Sequence, residues 1–162
     1  MRGKGSTSKT FRGRAILSGN IEGEALVTHV GFNAYASFYT SIHGQAETAL
    51  CADSGNRELY GRNLTDRVIC LPNSVGSTSA GGVWQHIARL GIAPRALLFS
   101  RQIDPLAAGG LIVADVWTGK RICTVDRLGA EFLESVKDGD WIVIREDGTV
   151  TIESLCRTPP IA

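Results

Sequence analysis

The chain has 162 residues, with 17 Lys and Arg against 16 Asp and Glu, a formal net charge of +1, 43% hydrophobic residues and four cysteines. That length suits one compact soluble domain that buries a core without disulfide staples. The charge balance excludes a nucleic-acid partner argued from a basic face, and no run approaches the roughly 18 apolar residues that a membrane helix needs.

Met1 to Arg14 carries Arg2, Lys4, Lys9, Arg12 and Arg14 with no acid and no signal-peptide core. It reads as a basic tail, residues 1–10, leading into a first strand, and the protein is expected in the cytoplasm. One folded unit is expected over 11–153, followed by a short tail over 154–162. Arg14-Ala15-Ile16-Leu17 and Glu24-Ala25-Leu26-Val27-Thr28 read as strands joined at Ser18-Gly19-Asn20. From Gly31 to Gly61 no period of 2 or 3.6 is sustained, and that irregular stretch is a place to look for function. Arg67 to Leu71 is a short apolar strand ended by Pro72. A Gly/Ser loop and then a helix follow, with Val83, Trp84, Ile87, Ala88 and Leu90 at helical spacing up to Gly91.

Ala96 to Phe99 reads as a buried strand, and Asp104-Pro105 starts a helix of small residues running to about Trp117. Arg121 to Val125 is another strand. Strands alternating with helices imply a parallel α/β portion. Leu128 to Val136 suits a short helix, and Gly139–Arg145 with Thr149–Ile152 around Asp147-Gly148 a hairpin.

The loop Ser74-Val75-Gly76-Ser77-Thr78-Ser79 sets three hydroxyls just ahead of a helix, where backbone N–H groups and the helix dipole favour an anion. An ordinary Ser/Thr cap explains the same residues. The loop lacks the Gly-Lys-[Ser/Thr] of a P-loop and the spacing of a nucleophile elbow. Asp53 suits a polar ligand, and equally suits a turn at Asp53-Ser54-Gly55-Asn56. His29, His43 and His86 read as structural or surface residues, and Trp84, Trp117 and Trp141 as core or interface anchors. Cys51, Cys70, Cys123 and Cys156 form no metal-ligand spacing, and Cys70 and Cys123 read as core thiols.

Four segments taken together resemble one family. They are the strand ending in Leu71-Pro72, the loop Gly76-Ser77-Thr78-Ser79, Gly91-Ile92-Ala93-Pro94-Arg95-Ala96, and Asp104-Pro105 followed by Ala108-Gly109-Gly110. They are similar to the small swivelling domain of the aconitase X group, and the resemblance runs from about Phe11 to Ile152. It implies a mixed α/β fold, a swivelling β/β/α domain with a barrel-like sheet and packed helices.

The resemblance also implies half of a hydro-lyase. A large aconitase X-type subunit would supply most substrate contacts and an iron or iron–sulfur site, while this chain binds no metal or cofactor. Ser77 matches the serine that serves as catalytic base, with Gly76, Thr78, Ser79 and Asp53 as substrate-binding candidates. Thr78 and Ser79 would orient the substrate carboxylate, and the partner's metal would act as Lewis acid on the departing hydroxyl.

Val75 departs from the arginine that commonly precedes the glycine in members acting on phosphorylated mevalonate. Members with a Ser-Val-Gly-Ser loop are associated with dehydration of cis-3-hydroxy-L-proline to Δ1-pyrroline-2-carboxylate, which is the expected reaction. The alternatives are a phosphomevalonate dehydratase small subunit, its phosphate held by Arg62, Arg101 or the partner, and a non-catalytic binding module.

Overall fold

The computed structural model describes residues 8–44, 46–76 and 78–154. Strands β1 (Ser8–Arg12), β2 (Arg14–Leu17), β3 (Ile21–Val27) and β4 (Phe32–Asn33) precede helix α1 (Ala34–His43). After a long loop come β5 (Val68–Leu71), β6 (Ser74–Val75) and α2 (Ala80–Leu90). Then β7 (Ala96–Phe99) leads to α3 (Pro105–Thr118), β8 (Cys123–Asp126) leads to α4 (Ala130–Ser135), and β9 (Trp141–Ile144) turns into β10 (Thr149–Glu153).

Strands β5, β7 and β8 are buried along their whole length, so each must be apolar toward both faces. Alternate side chains divide between two cores. Ile69, Leu71, Leu97 and Phe99 pack under α1, α2 and α3 with Phe32, Phe38, Trp84 and Leu111. Val68, Cys70, Ala96, Leu98 and Val125 face inward with Phe132, Ile142, Ile144 and Val150. The sheet order is β1-β10-β9-β3-β5-β7-β8-β2. Pairing is parallel from β3 through β8 and antiparallel in both flanks.

That order has β1 and β2 at opposite ends, although only Gly13 separates them in the chain. The sheet therefore has to curl until its ends meet, which makes it barrel-like around the inner core. Gly13 is held at the seam by its N–H to the Gly148 carbonyl at 3.0 Å. A Cβ on Gly13 would stand 2.4 Å from the Asp126 carbonyl oxygen. Next to the seam, Arg14 donates to both oxygens of the buried Asp126, at 3.0 and 2.7 Å.

The mixed α/β expectation agrees with this architecture, and two local expectations change. Ser8–Arg12 is a strand paired along its length with Thr149–Glu153, so residues 8–10 of the expected tail belong to the sheet. Residues 1–7 and 155–162, with Cys156, lie outside the described residues. Within the irregular stretch, Ala34–His43 forms α1, whose buried face is Ala34, Ser37, Phe38 and Ser41. Two serines on that face erase the hydrophobic period while the spacing stays helical. The two strands read on either side of Ser18-Gly19-Asn20 are both present, β2 lying on β8 and β3 between β9 and β5.

Cys51, Cys70 and Cys123 are buried free thiols. Burial pushes Cys123 up to about 11 and raises Cys51 and Cys70 as well, so all three remain protonated and unreactive at neutral pH. Among the described residues no helix is long and apolar enough to cross a membrane.

Candidate active site

The carboxyl ends of parallel strands are where α/β proteins gather their loops. Here β5 leads through Pro72 and Asn73 into β6, and β7 leads through Ser100–Ile103 to the start of α3. One carboxylate ties the two segments together. Asp104 Oδ1 accepts from the N–H groups of Leu106 and Ala107 at 2.9 and 3.0 Å, capping α3, while Oδ2 accepts the Ser74 hydroxyl. Asp126 steadies the approach by accepting the Ile103 N–H at 2.9 Å.

A third segment arrives beside them, because β4 pairs in parallel with β6, Phe32 against Ser74 and Asn33 against Val75. Asn33 caps α1 through Oδ1, which accepts the Ala36 N–H at 3.1 Å. Gly76 lies against that amide with φ 106°, and a Cβ there would stand 2.7 Å from Asn33 Cγ and Oδ1. Only glycine satisfies both the dihedral and the contact.

These segments enclose a cleft of about 60 Å³. Ala34, Ala80, Leu106 and Ala107 bring the first turns of α1, α2 and α3 to it, and Ser74, Val75, Gly76, Trp84 and Asp104 complete the lining. Three helix amino termini thus converge on one small space, each carrying partial positive charge. Trp84 is 1% exposed, stacks on Phe32 with ring centroids 6.2 Å apart, and buries an indole N–H that has no acceptor. Among the described residues the cleft lining includes no Lys or Arg.

Of the residues singled out by sequence, Gly76 forms the cleft wall. Ser77 lies outside the described residues. Thr78 and Ser79 are exposed in the turn ahead of α2. Ser79 holds the cap position in helical conformation, φ −70° and ψ −10°, and its side chain makes no bond to the helix amides. The ordinary cap read from the hydroxyl run is therefore absent from α2. Asp53 is committed to a turn. Its Oδ1 accepts from the Gly55 N–H at 2.9 Å, its carbonyl from the Asn56 N–H at 3.1 Å, and it is not among the cleft residues.

Sequence reasoning gave Asn33 no role and read Trp84 as a core or interface anchor. An Asn directly before a helix is a cap signal, but nothing local shows that the cap also stands against Gly76. His29 bonds Glu58 through Nδ1 at 2.9 Å, and Glu58 also accepts from the His29 N–H and the Thr28 hydroxyl. Burial pushes the Glu58 carboxyl up, but these bonds together hold it below its ordinary range. Among the described residues no three His, Cys, Asp or Glu side chains gather to hold a metal ion.

A family profile described as the aconitase X swivel domain matches residues 10–152. The chain belongs to that family. The phosphomevalonate dehydratase small subunit of Archaeoglobus fulgidus is 31% identical over 137 residues, 85% of this chain and 92% of that one. The cis-3-hydroxy-L-proline dehydratase of Hypocrea jecorina is 28% identical over 124 residues, 76% of this chain but 20% of that protein. The crystal structure of Thermococcus kodakaraensis aconitase X in its holo form superposes with TM-score 0.74 at 23% identity, covering 89% of this chain and 98% of that one. The swivel-domain fold implied by the resemblance is the fold observed.

In this swivel domain the Asp104 carboxylate is the fastener of the cleft. Asp104→Ala is expected to lower stability by about 1 kcal/mol through loss of the α3 cap, measured by urea unfolding. Asp104→Asn, which keeps an accepting oxygen for the helix amides, should recover most of that loss.

Proposed function

We propose that this chain is the small, swivelling subunit of an aconitase X-type dehydratase that converts cis-3-hydroxy-L-proline to Δ1-pyrroline-2-carboxylate. The observation that supports it is the cleft at Gly76, where three helix amino termini meet a mostly apolar lining and Val75 stands in place of a guanidinium. The carboxylate in that lining, Asp104, is spent on Ser74 and the α3 amides. Such a surface suits the single carboxylate of a small hydroxy acid better than a phosphate dianion. Arg62 is already engaged, its Nη1 lying 2.7 Å from Asp138 Oδ2.

In the proposed reaction Ser77 Oγ takes the proton from the carbon bearing the carboxylate, and the bond from the neighbouring carbon to its hydroxyl breaks. Proton and hydroxyl leave as water, and the resulting enamine tautomerises to the imine. A serine is a weak base in water, so it needs preorganised positive dipoles and exclusion of solvent. The converging helix termini beside Gly76 supply the first, and closure against a larger partner supplies the second. Thr78 and Ser79 are assigned to the substrate carboxylate, and Asp53, held in its turn away from the cleft, is given no contact. The iron or iron–sulfur group is assigned to the partner subunit.

The names of the small-subunit relatives favour a second reading with the same chemistry on 5-phosphomevalonate. Purifying this chain anaerobically with iron and the large aconitase X subunit of the same genome, then assaying both substrates, separates the two. Turnover of hydroxyproline alone supports the proposal; turnover of phosphomevalonate alone replaces its substrate. A stable complex inactive on both would favour a binding module.

A further inference from the structure

Helix α3 carries an uncharged exposed face. Leu106, Ile112, Val116 and Trp117 are 53%, 45%, 72% and 70% exposed, while Ala107, Gly110, Leu111 and Ala114 are buried beneath them. From Pro105 to Ala114 the helix has no charged residue, and Asp115 is paired with Arg121 at 2.7 Å. Four large apolar side chains on one helix face, two of them about seven-tenths exposed, mark an interaction surface.

Gly109 gives an independent observation. It is exposed in the same face, three residues from both Leu106 and Ile112, and a Cβ on it would meet nothing within 4 Å. Its neighbour Gly110 is different, since a Cβ there would stand 2.5 Å from Gly81 Cα. Gly110 is thus required by packing inside the chain, and Gly109 is not. A glycine in a helix interior weakens the helix relative to alanine. An exposed one with no internal need fits close approach by another chain.

The face has a direction as well. Leu106 at its head also lines the cleft beside Ser74, Val75 and Gly76. A body seated on α3 therefore reaches the cleft mouth. The four side chains expose on the order of 400 Å² of apolar surface, about half of the ~800 Å² that each partner of a stable interface contributes. Two copies meeting through α3 alone fall short of that area. A larger partner that also covers the cleft mouth and the exposed Tyr35 and Tyr39 of α1 reaches it.

We infer that the α3 face from Leu106 to Trp117 is the surface on which the large aconitase X-type subunit docks, which places that subunit over the cleft. This rests on the small-subunit reading given above. The test titrates the full chain against the large subunit of the same genome, with size-exclusion chromatography and thermal melting of each variant alone. Gly109→Gln and the double change Val116→Glu with Trp117→Glu are each expected to weaken the complex at least about thirtyfold, as loss of an interface hot spot does. Gly109→Gln should melt no lower than wild type, because its side chain enters open space.

If both variants bind like wild type, the docking surface is elsewhere and the small-subunit reading stands. If wild type itself does not bind the large subunit, both readings fall. If wild type alone is a dimer that Gly109→Gln converts to a monomer, the occupant is a second copy and the inference is overturned.

Discussion

Ser77→Ala is expected to lower turnover by the proposed two-subunit enzyme at least about a hundredfold, the loss typical of removing a general base, the role proposed for it. The exchange removes one oxygen and leaves the glycine requirement at Gly76 untouched. Melting temperature and affinity for the large subunit should therefore match wild type. The chemical step alone should slow, lowering kcat with little change in KM. Activity within a few fold of wild type would take Ser77 out of the mechanism, and a lost complex would make its role structural. Solvent deuterium exchange at the substrate carbon offers a second readout, since exchange without dehydration should vanish along with turnover.

Gly110→Ala should have the largest effect on stability. The added Cβ would meet Gly81 Cα at 2.5 Å, Gly81 O at 2.8 Å and Gly81 C at 3.0 Å, all backbone atoms that cannot turn aside. Helices α2 and α3 would have to separate, at a cost of about 3 kcal/mol. For a domain of this size that lowers the melting temperature by roughly 6 to 12 °C. The neighbouring Gly109→Ala is the control, expected to raise stability by up to about 1 kcal/mol. Equal effects from the two exchanges would show that α2 and α3 do not cross at Gly81 and Gly110. Because Ala80, Leu106 and Ala107 flank this crossing and line the cleft, Gly110→Ala should also reduce activity of the assembled enzyme.

Much of the middle of the chain was legible because its signals are local. Pro72 ends β5, Gly91 stops α2 in the left-handed region at φ 75°, and Asp104-Pro105 starts α3 with the expected cap. Asp147-Gly148 marks the turn between β9 and β10. What escaped depends on partners far away in sequence or on faces that are not hydrophobic. Helix α1 buries Ser37 and Ser41, so a search for apolar periodicity passes over it. Strand β1 exists because Lys9 finds Ile152 and Phe11 finds Val150, pairings that a basic run does not announce. Of the cleft, the Gly76 wall was legible in its loop. Its other walls were not, since Ala34, Trp84 and Asp104 come from three other segments. Asp53 was chosen for its residue type, and it illustrates how readily an Asx turn imitates a ligand site.

The seam at Gly13 also has a consequence in time. During synthesis β1 leaves the ribosome before the other described strands, yet the strand that pairs with it ends at Glu153. Until β10 has emerged, β1 presents an unpaired edge, and the apolar strands of the inner core lack the β9–β10 flank that encloses them. Closure then joins residues about 140 positions apart, the kind of late, long-range step that slows folding and exposes intermediates to aggregation. A nascent chain of this protein is therefore vulnerable until β10 has emerged, and moving β1 to follow β10 by circular permutation would make its pairing local.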